Sequence, residues 1–187
     1  MRIGILTLPL HTNYGGILQA YALQTVLERM GHDVKVINRD RTPQKVGFLD
    51  NFFINIYSFL SCLRQKKLYI FCDQNKVNEQ SFQSFVYKTK YTQKFIDSHI
   101  HSYYVNNHVF EISADDFDAI VVGSDQIWSP LHGGAISGKV SNAFLPFIRK
   151  KNITKFSYAA SFGKDFWQYS RRETNRAKNA IRDFRGV

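Results

Sequence analysis

Three short polar stretches carry the residue types that chemistry on an anionic, hydroxyl-bearing substrate needs. The first is Thr12-Asn13-Tyr14-Gly15-Gly16. Its two glycines let a ligand approach the backbone, and a helix starting near Gly16 offers free N–H groups and partial positive charge to an anion. Asn13 either caps that helix or touches the ligand; a glycine turn with an Asn cap and no ligand accounts for the same residues. The second stretch is Gly123-Ser124-Asp125-Gln126-Ile127-Trp128. Asp125 is placed to act as a base or to orient a substrate hydroxyl, and equally to cap the turn that follows. Trp128 either stacks on a sugar ring or fills core. The third, Ser157-Tyr158-Ala159-Ala160-Ser161-Phe162-Gly163, supplies hydroxyls and small residues that admit another backbone, or simply punctuates a turn. His11 and His132 fall in loops near the same edge and are the candidates for a general acid.

These stretches need a scaffold that brings them together. Residues 3–8 form a β-rich run. After a turn, Ile17, Leu18, Tyr21, Ala22, Leu23, Val26, Leu27 and Met30 follow at helical spacing, with Gly31 as the stop. Val34-Lys35-Val36-Ile37 is the next strand, so the opening predicts a right-handed parallel βαβ unit. Between Arg39 and Ile112 the apolar residues fit helices, near 50–65 and 76–96, rather than strands. Ala119-Ile120-Val121-Val122-Gly123 reads as a buried strand ending at the second polar stretch, and 155–163 as a third such strand. A glycine-rich loop at 133–138 lies between them, and a final basic helix spans 166–184. The expected fold is α/β, a Rossmann-like parallel sheet with flanking helices. In such a sheet, ligands bind beyond the carboxyl ends of the strands, where all three polar stretches fall.

Composition narrows the class. The 187 residues are 44% hydrophobic and 21% charged, which excludes a low-complexity or collagen-like chain. A net charge of +10 favours acidic or phosphorylated partners without choosing among them. Arg171, Arg172, Arg176, Lys178, Arg182 and Arg185 make the last helix basic, but no nucleic-acid motif accompanies them, so a solvated face is the reading. Cys62 and Cys72 are too few for a disulfide framework or a four-thiolate zinc site and suit a reducing cytosol. No metal-ligand cluster and no G-x-G-x-x-G fingerprint is present in the sequence. The run Phe52 to Leu63 is too short for a spanning helix. With Arg64-Gln65-Lys66-Lys67 behind it, it suits a buried or domain-packing helix, or an amphipathic one lying on an anionic membrane surface.

Taken together, Asn13 to Gln19 (Asn-Tyr-Gly-Gly-Ile-Leu-Gln) continuing through Gln24, then Gly123 to Trp128, then Ser157 to Gly163 resemble the polysaccharide pyruvyl transferase family in order and spacing. The resemblance spans nearly the whole chain apart from 42–110, a variable helical insertion. It implies two Rossmann-like domains of the GT-B kind, with 1–187 as the N-terminal one and a C-terminal domain absent from this chain. It also implies phosphoenolpyruvate as donor substrate with no cofactor, and a cell-surface saccharide as acceptor, a lipid-linked one included. A cytoplasmic enzyme at the inner face of the membrane, with peripheral contact to it and no nucleic-acid partner, fits that picture; oligomeric state is not addressed by it. The candidate site is then Asp125 and His11 for proton transfer, with Asn13, Tyr14, Gly15, Gly16, Gln19, Ser124, Gln126, Trp128 and Ser161 for substrate binding. A GT-B-like enzyme using a nucleotide sugar and a noncatalytic binding domain are the competing readings.

Overall fold

The structure, a computed structural model, describes residues 1–39, 47–64, 74–105, 112–113, 115–131, 140–148 and 153–187. His132, the glycine-rich loop at 133–138 and residues 65–67, with the basic Lys66 and Lys67, lie outside them. Two compact units divide the chain: residues 1–40 with 91–187, and residues 41–90.

The first unit is built on six parallel strands in the order β3-β2-β1-β4-β5-β6. They are β1 (Arg2–Leu6), β2 (Asp33–Arg39), β3 (Ser102–Val105), β4 (Ala119–Gly123), β5 (Thr154–Tyr158) and β6 (Phe184–Gly186). Helix α1 (Tyr14–Arg29) carries the crossover from β1 to β2. It stops where the sequence predicts. Gly31 adopts φ +85°, its N–H donates to Glu28 O, and the His32 N–H donates to Leu27 O, closing the last turn as a Schellman motif. All five residues of β4 are buried, as expected for a central parallel strand covered on both faces.

Alternation along the strands splits the core in two. Ile3, Ile5, Val34, Val36, Ala119 and Val121 pack with Ile17 and Ala20 of α1 and with Ile96 and Ile100. On the other side Leu6, Ile37, Ile120 and Val122 meet Trp128, Phe144, Tyr169, Ala177 and Ala180. A buried polar group joins α1 to the start of β3: Gln24, 1% exposed, donates to His99 O at 3.1 Å and accepts from the His101 N–H at 2.9 Å. Both halves of its amide are thus satisfied, as burial requires.

Three expectations need correction. The stretch 102–105 is a strand, not helix or loop: Ser102 to Val105 pair with Val36 to Arg39, and exposed Tyr104 beside buried Val105 suits a short edge strand. The third polar strand is shorter than 155–163, ending at Tyr158. The last helix, α4, runs Arg171–Ile181 rather than 166–184. Its start is set by the capping box Ser170-x-x-Glu173, in which Ser170 Oγ accepts from the Glu173 N–H at 3.2 Å. Residues 184–186, the last of them beyond the expected basic helix, form an edge strand paired with β5.

The second unit holds α2 (Phe48–Arg64) and the first part of α3 (Gln74–His99). Of the readings of Phe52 to Leu63, a buried helix fails, while a domain-packing or amphipathic one is compatible with its exposed apolar residues. Phe48, Phe53, Tyr57 and Leu60 are more than half exposed, whereas Asn55 is 3% exposed, so the helix turns a polar position inward. No described helix is long and apolar enough to cross a membrane.

Candidate functional site at the carboxyl edge of the sheet

The strand order 3-2-1-4-5-6 reverses direction between β1 and β4, and in open parallel sheets the crevice at that switch point is where ligands sit. The loop after β1 and the loop after β4 therefore flank it, and they carry the first two polar stretches. Helix α1 begins at Tyr14, two residues earlier than expected, because Asn13 caps it: Oδ1 accepts from the Gly16 N–H at 3.2 Å with Asn13 in an extended conformation. A cap at this residue places the N–H groups of Tyr14 and Gly15 in the first turn, where no intrahelical acceptor exists for them.

Gly16 is the meeting point. A methyl group there would lie 3.4 Å from Asn13 Nδ2 and 3.6 Å from Asp125 Oδ2. The cap amide and the carboxylate, 112 positions apart in the chain, thus converge on one small residue at a helix N-terminus. The other carboxylate oxygen, Oδ1, accepts from the Gln126 N–H at 2.7 Å, which holds the side chain in place.

The third stretch is bound to the second by its backbone. The Ser161 N–H donates to Asp125 O at 3.0 Å, and the Trp128 N–H donates to Ser161 O at 3.1 Å. Gly123 permits this approach: its φ is +134°, and a Cβ there would collide with the Tyr158 carbonyl oxygen. Gly163, at φ +74°, lies under the Gln126 side chain, whose Oε1 would be 2.5 Å from an added Cβ. Ala159 takes φ +50° without being glycine, a local strain sitting in the loop that follows β5. Asn13, Asp125 and Ser161 are therefore neighbours around one cluster of loops.

The remaining candidates divide. Tyr14 is 67% exposed on the first turn of α1, and Gly15 and Gln19 are exposed on the same helix. The His11 Nδ1 accepts from the Thr12 N–H at 2.7 Å, which in the neutral ring leaves the proton on Nε2. Ser161 Oγ accepts from the Gly163 N–H at 2.9 Å. Ser124 is 8% exposed and its Oγ has no hydrogen-bond partner, an orphan hydroxyl next to Asp125. Trp128 resolves toward the core: it is 3% exposed and lies stacked on Phe144, ring centroids 4.8 Å apart, so that face is closed to a sugar. Among the described residues no group of three or more His, Cys, Asp or Glu could hold a metal ion.

One brace of the cluster was not read from the sequence. Tyr169, 8% exposed, donates from its hydroxyl to Trp128 O at 2.5 Å and so braces the second loop from below; burial pushes its phenol well above the usual tyrosine range. Misplacing the helix start hid it, and the capping box is the signal that would have shown it. Arg171 and Arg172, read as a solvated stripe, are exposed at the start of α4.

The family model for polysaccharide pyruvyl transferase matches residues 13–187, which include every motif of the loop cluster. No curated protein and no solved structure matches the chain. With the match running over most of its length, the chain belongs to the polysaccharide pyruvyl transferase family.

Proposed function

We propose that the loop cluster at the switch point binds phosphoenolpyruvate and that Asp125 acts as base in moving its pyruvyl group onto two saccharide hydroxyls as a ketal. Family membership implies a pyruvyl donor and a saccharide acceptor. The observation that carries the finer reading is the convergence of Asn13 Nδ2 and Asp125 Oδ2 on Gly16 at the head of α1.

The reaction balances as follows. The methylene carbon of the enol phosphate takes a proton, and a first sugar hydroxyl adds to the neighbouring carbon while losing its proton. The C–O bond to phosphate breaks with its electron pair leaving on phosphate. A second hydroxyl then closes the ketal and gives up its own proton. Such a sequence needs an acid, a base and support for two anionic groups. The free N–H groups of the first turn of α1 suit a carboxylate or phosphate. The orphan Ser124 Oγ is a donor that a bound anion would satisfy. Arg171 and Arg172, exposed at the start of α4, are candidates for cationic support. His11 is the candidate acid, through Nε2, because Nδ1 accepts from the Thr12 N–H. The reading includes a second domain of the GT-B kind, a cytoplasmic enzyme and no cofactor.

Calorimetric titration of the chain with phosphoenolpyruvate and, separately, with a uridine nucleotide sugar tests it. Preference for phosphoenolpyruvate is expected, and preference for the nucleotide sugar overturns it in favour of a glycosyl transfer reading. In the complete enzyme, Asp125→Asn should lower kcat by at least about a hundredfold, the usual scale for a general base, with the unfolding midpoint unchanged. An unchanged kcat would remove Asp125 from the mechanism.

A further inference from the structure

We propose that Trp167 is a stacking platform for a pyranose ring of the saccharide acceptor. The loop from Ala159 to Ser170 carries an aromatic cluster whose inner members, Phe162 and Tyr169, pack with buried Trp128 and Phe144. Trp167 is the outer member. Its ring centroid lies 5.2 Å from that of Phe162 and 5.0 Å from that of Tyr169, and its Nε1–H donates to Thr174 Oγ1 at 2.8 Å. The indole is thus fixed in orientation and its only polar group is already satisfied, yet the residue remains 56% exposed. Phe166, next to it, is 63% exposed.

An indole fixed in orientation and left half open to water presents a ready apolar face to an occupant. Pre-fixing it removes most of the ordering cost on binding. The occupant is specified by position. Phe162, which Trp167 touches, directly follows Ser161, and Ser161 is hydrogen-bonded to Asp125. The platform therefore belongs to the same loop cluster as the proposed base. A pyranose ring matches it: one face of axial C–H groups for the indole, and hydroxyls around the rim for a base to deprotonate. Gln168, whose Nε2 donates to Phe162 O at 3.1 Å, stiffens the loop between them. The inference rests on the family's saccharide acceptor and on Asp125 as base, but not on the identity of the donor.

The chain has two tryptophans, one buried and one open, which makes its own fluorescence the probe. Iodide quenching should report Trp167 while Trp128 serves as the shielded reference. Methyl β-galactopyranoside and methyl β-glucopyranoside are titrated in, with phosphoenolpyruvate affinity measured in parallel. At least one glycoside is expected to protect Trp167 from iodide. Read by calorimetry, because both variants lack the reporter ring, Trp167→Ala should weaken glycoside binding by about tenfold or more, the scale of one good ring contact, and Trp167→Phe should retain most of it. Phosphoenolpyruvate affinity should be the same in all three proteins. Glycoside binding unchanged in Trp167→Ala, or no protection by either glycoside, overturns the proposal. So does protection that tracks protein concentration alone, because a second copy would then be covering the ring. Protection by glycoside in a chain that does not bind phosphoenolpyruvate leaves the platform standing and removes the donor reading instead.

Discussion

The two edges of the sheet are both polar, but they use their polar groups in opposite ways. At the amino edge, charges are consumed by one another. The Arg2 guanidinium donates to Asp118 Oδ1 at 2.9 Å and to Asp115 O at 2.8 Å, the Arg2 N–H donates to Asp118 Oδ2 at 2.8 Å, and Tyr103 donates to Asp116 Oδ2 at 2.6 Å. A hollow of about 230 Å3 remains there, lined by Arg2, Asp33, Lys35, Tyr103, Asp116 and Phe117. At the carboxyl edge the loops are joined by backbone hydrogen bonds and by glycines that allow close approach, which leaves side chains such as Asp125 and Ser124 with capacity for a ligand. Charge that neutralises its neighbour stabilises the fold; polar groups positioned by backbone alone can do chemistry.

This contrast can be broken experimentally, and the largest effect should come at the carboxyl edge. Gly123→Ala forces a Cβ against the Tyr158 carbonyl at a φ that L-residues rarely adopt. Separating β4 from β5 should cost about 3 kcal/mol or more, read from urea unfolding, and should abolish ligand binding with it. A variant of near-normal stability would mean that the loops have slack. Tyr169→Phe comes next. It removes the hydroxyl under Trp128 and leaves a buried carbonyl without its donor, at a cost of about 1 to 2 kcal/mol. The same substitution sharpens a pH effect. With the phenol pushed up by burial, its contribution is complete below the ordinary tyrosine pKa near 10 and fades as pH rises further, so the wild-type chain should lose stability above about pH 10 more steeply than the variant.

The smallest effect belongs to the amino edge. The side-chain hydrogen bond from Arg2, followed by the Arg2 backbone N–H, holds the Asp118 carboxyl below the usual range. A depressed carboxylate stabilises above its unfolded pKa, near 4, and that contribution disappears as pH falls through the folded value. Asp118→Asn should therefore flatten the acid limb of stability below about pH 4 while leaving phosphoenolpyruvate affinity at neutral pH as it was. Loss of that affinity would show that the two edges are not independent.

Lys155 makes a related point inside the first unit. It is 2% exposed on β5, and its Nζ donates to Leu145 O at 3.0 Å and Ile148 O at 2.8 Å, with Asp183 3.6 Å away. Desolvation pushes its pKa down despite that carboxylate. A lysine inside a strand pattern looks like a surface residue in the sequence. Here it pins a turn in which Leu145 takes φ +52°.

What the sequence determined by itself was most of what depends on local order, the start of α4 being the exception. The opening strand, α1 with its Gly31 stop, β2, the apolar β4 and the three polar stretches are all written in runs and spacings a few residues long, and their motif order is enough to carry the family. Tertiary structure decided the rest. The edge strands β3 and β6 are three or four residues each and owe their conformation to pairing with a neighbour. Trp128 became core and Trp167 became surface although both are tryptophans beside polar loops, because Phe144 stacks on Trp128 and not on Trp167. The meeting of Asn13 with Asp125 at Gly16 is likewise a property of strand order: the chain places them far apart, and a sheet that reverses between β1 and β4 brings them together.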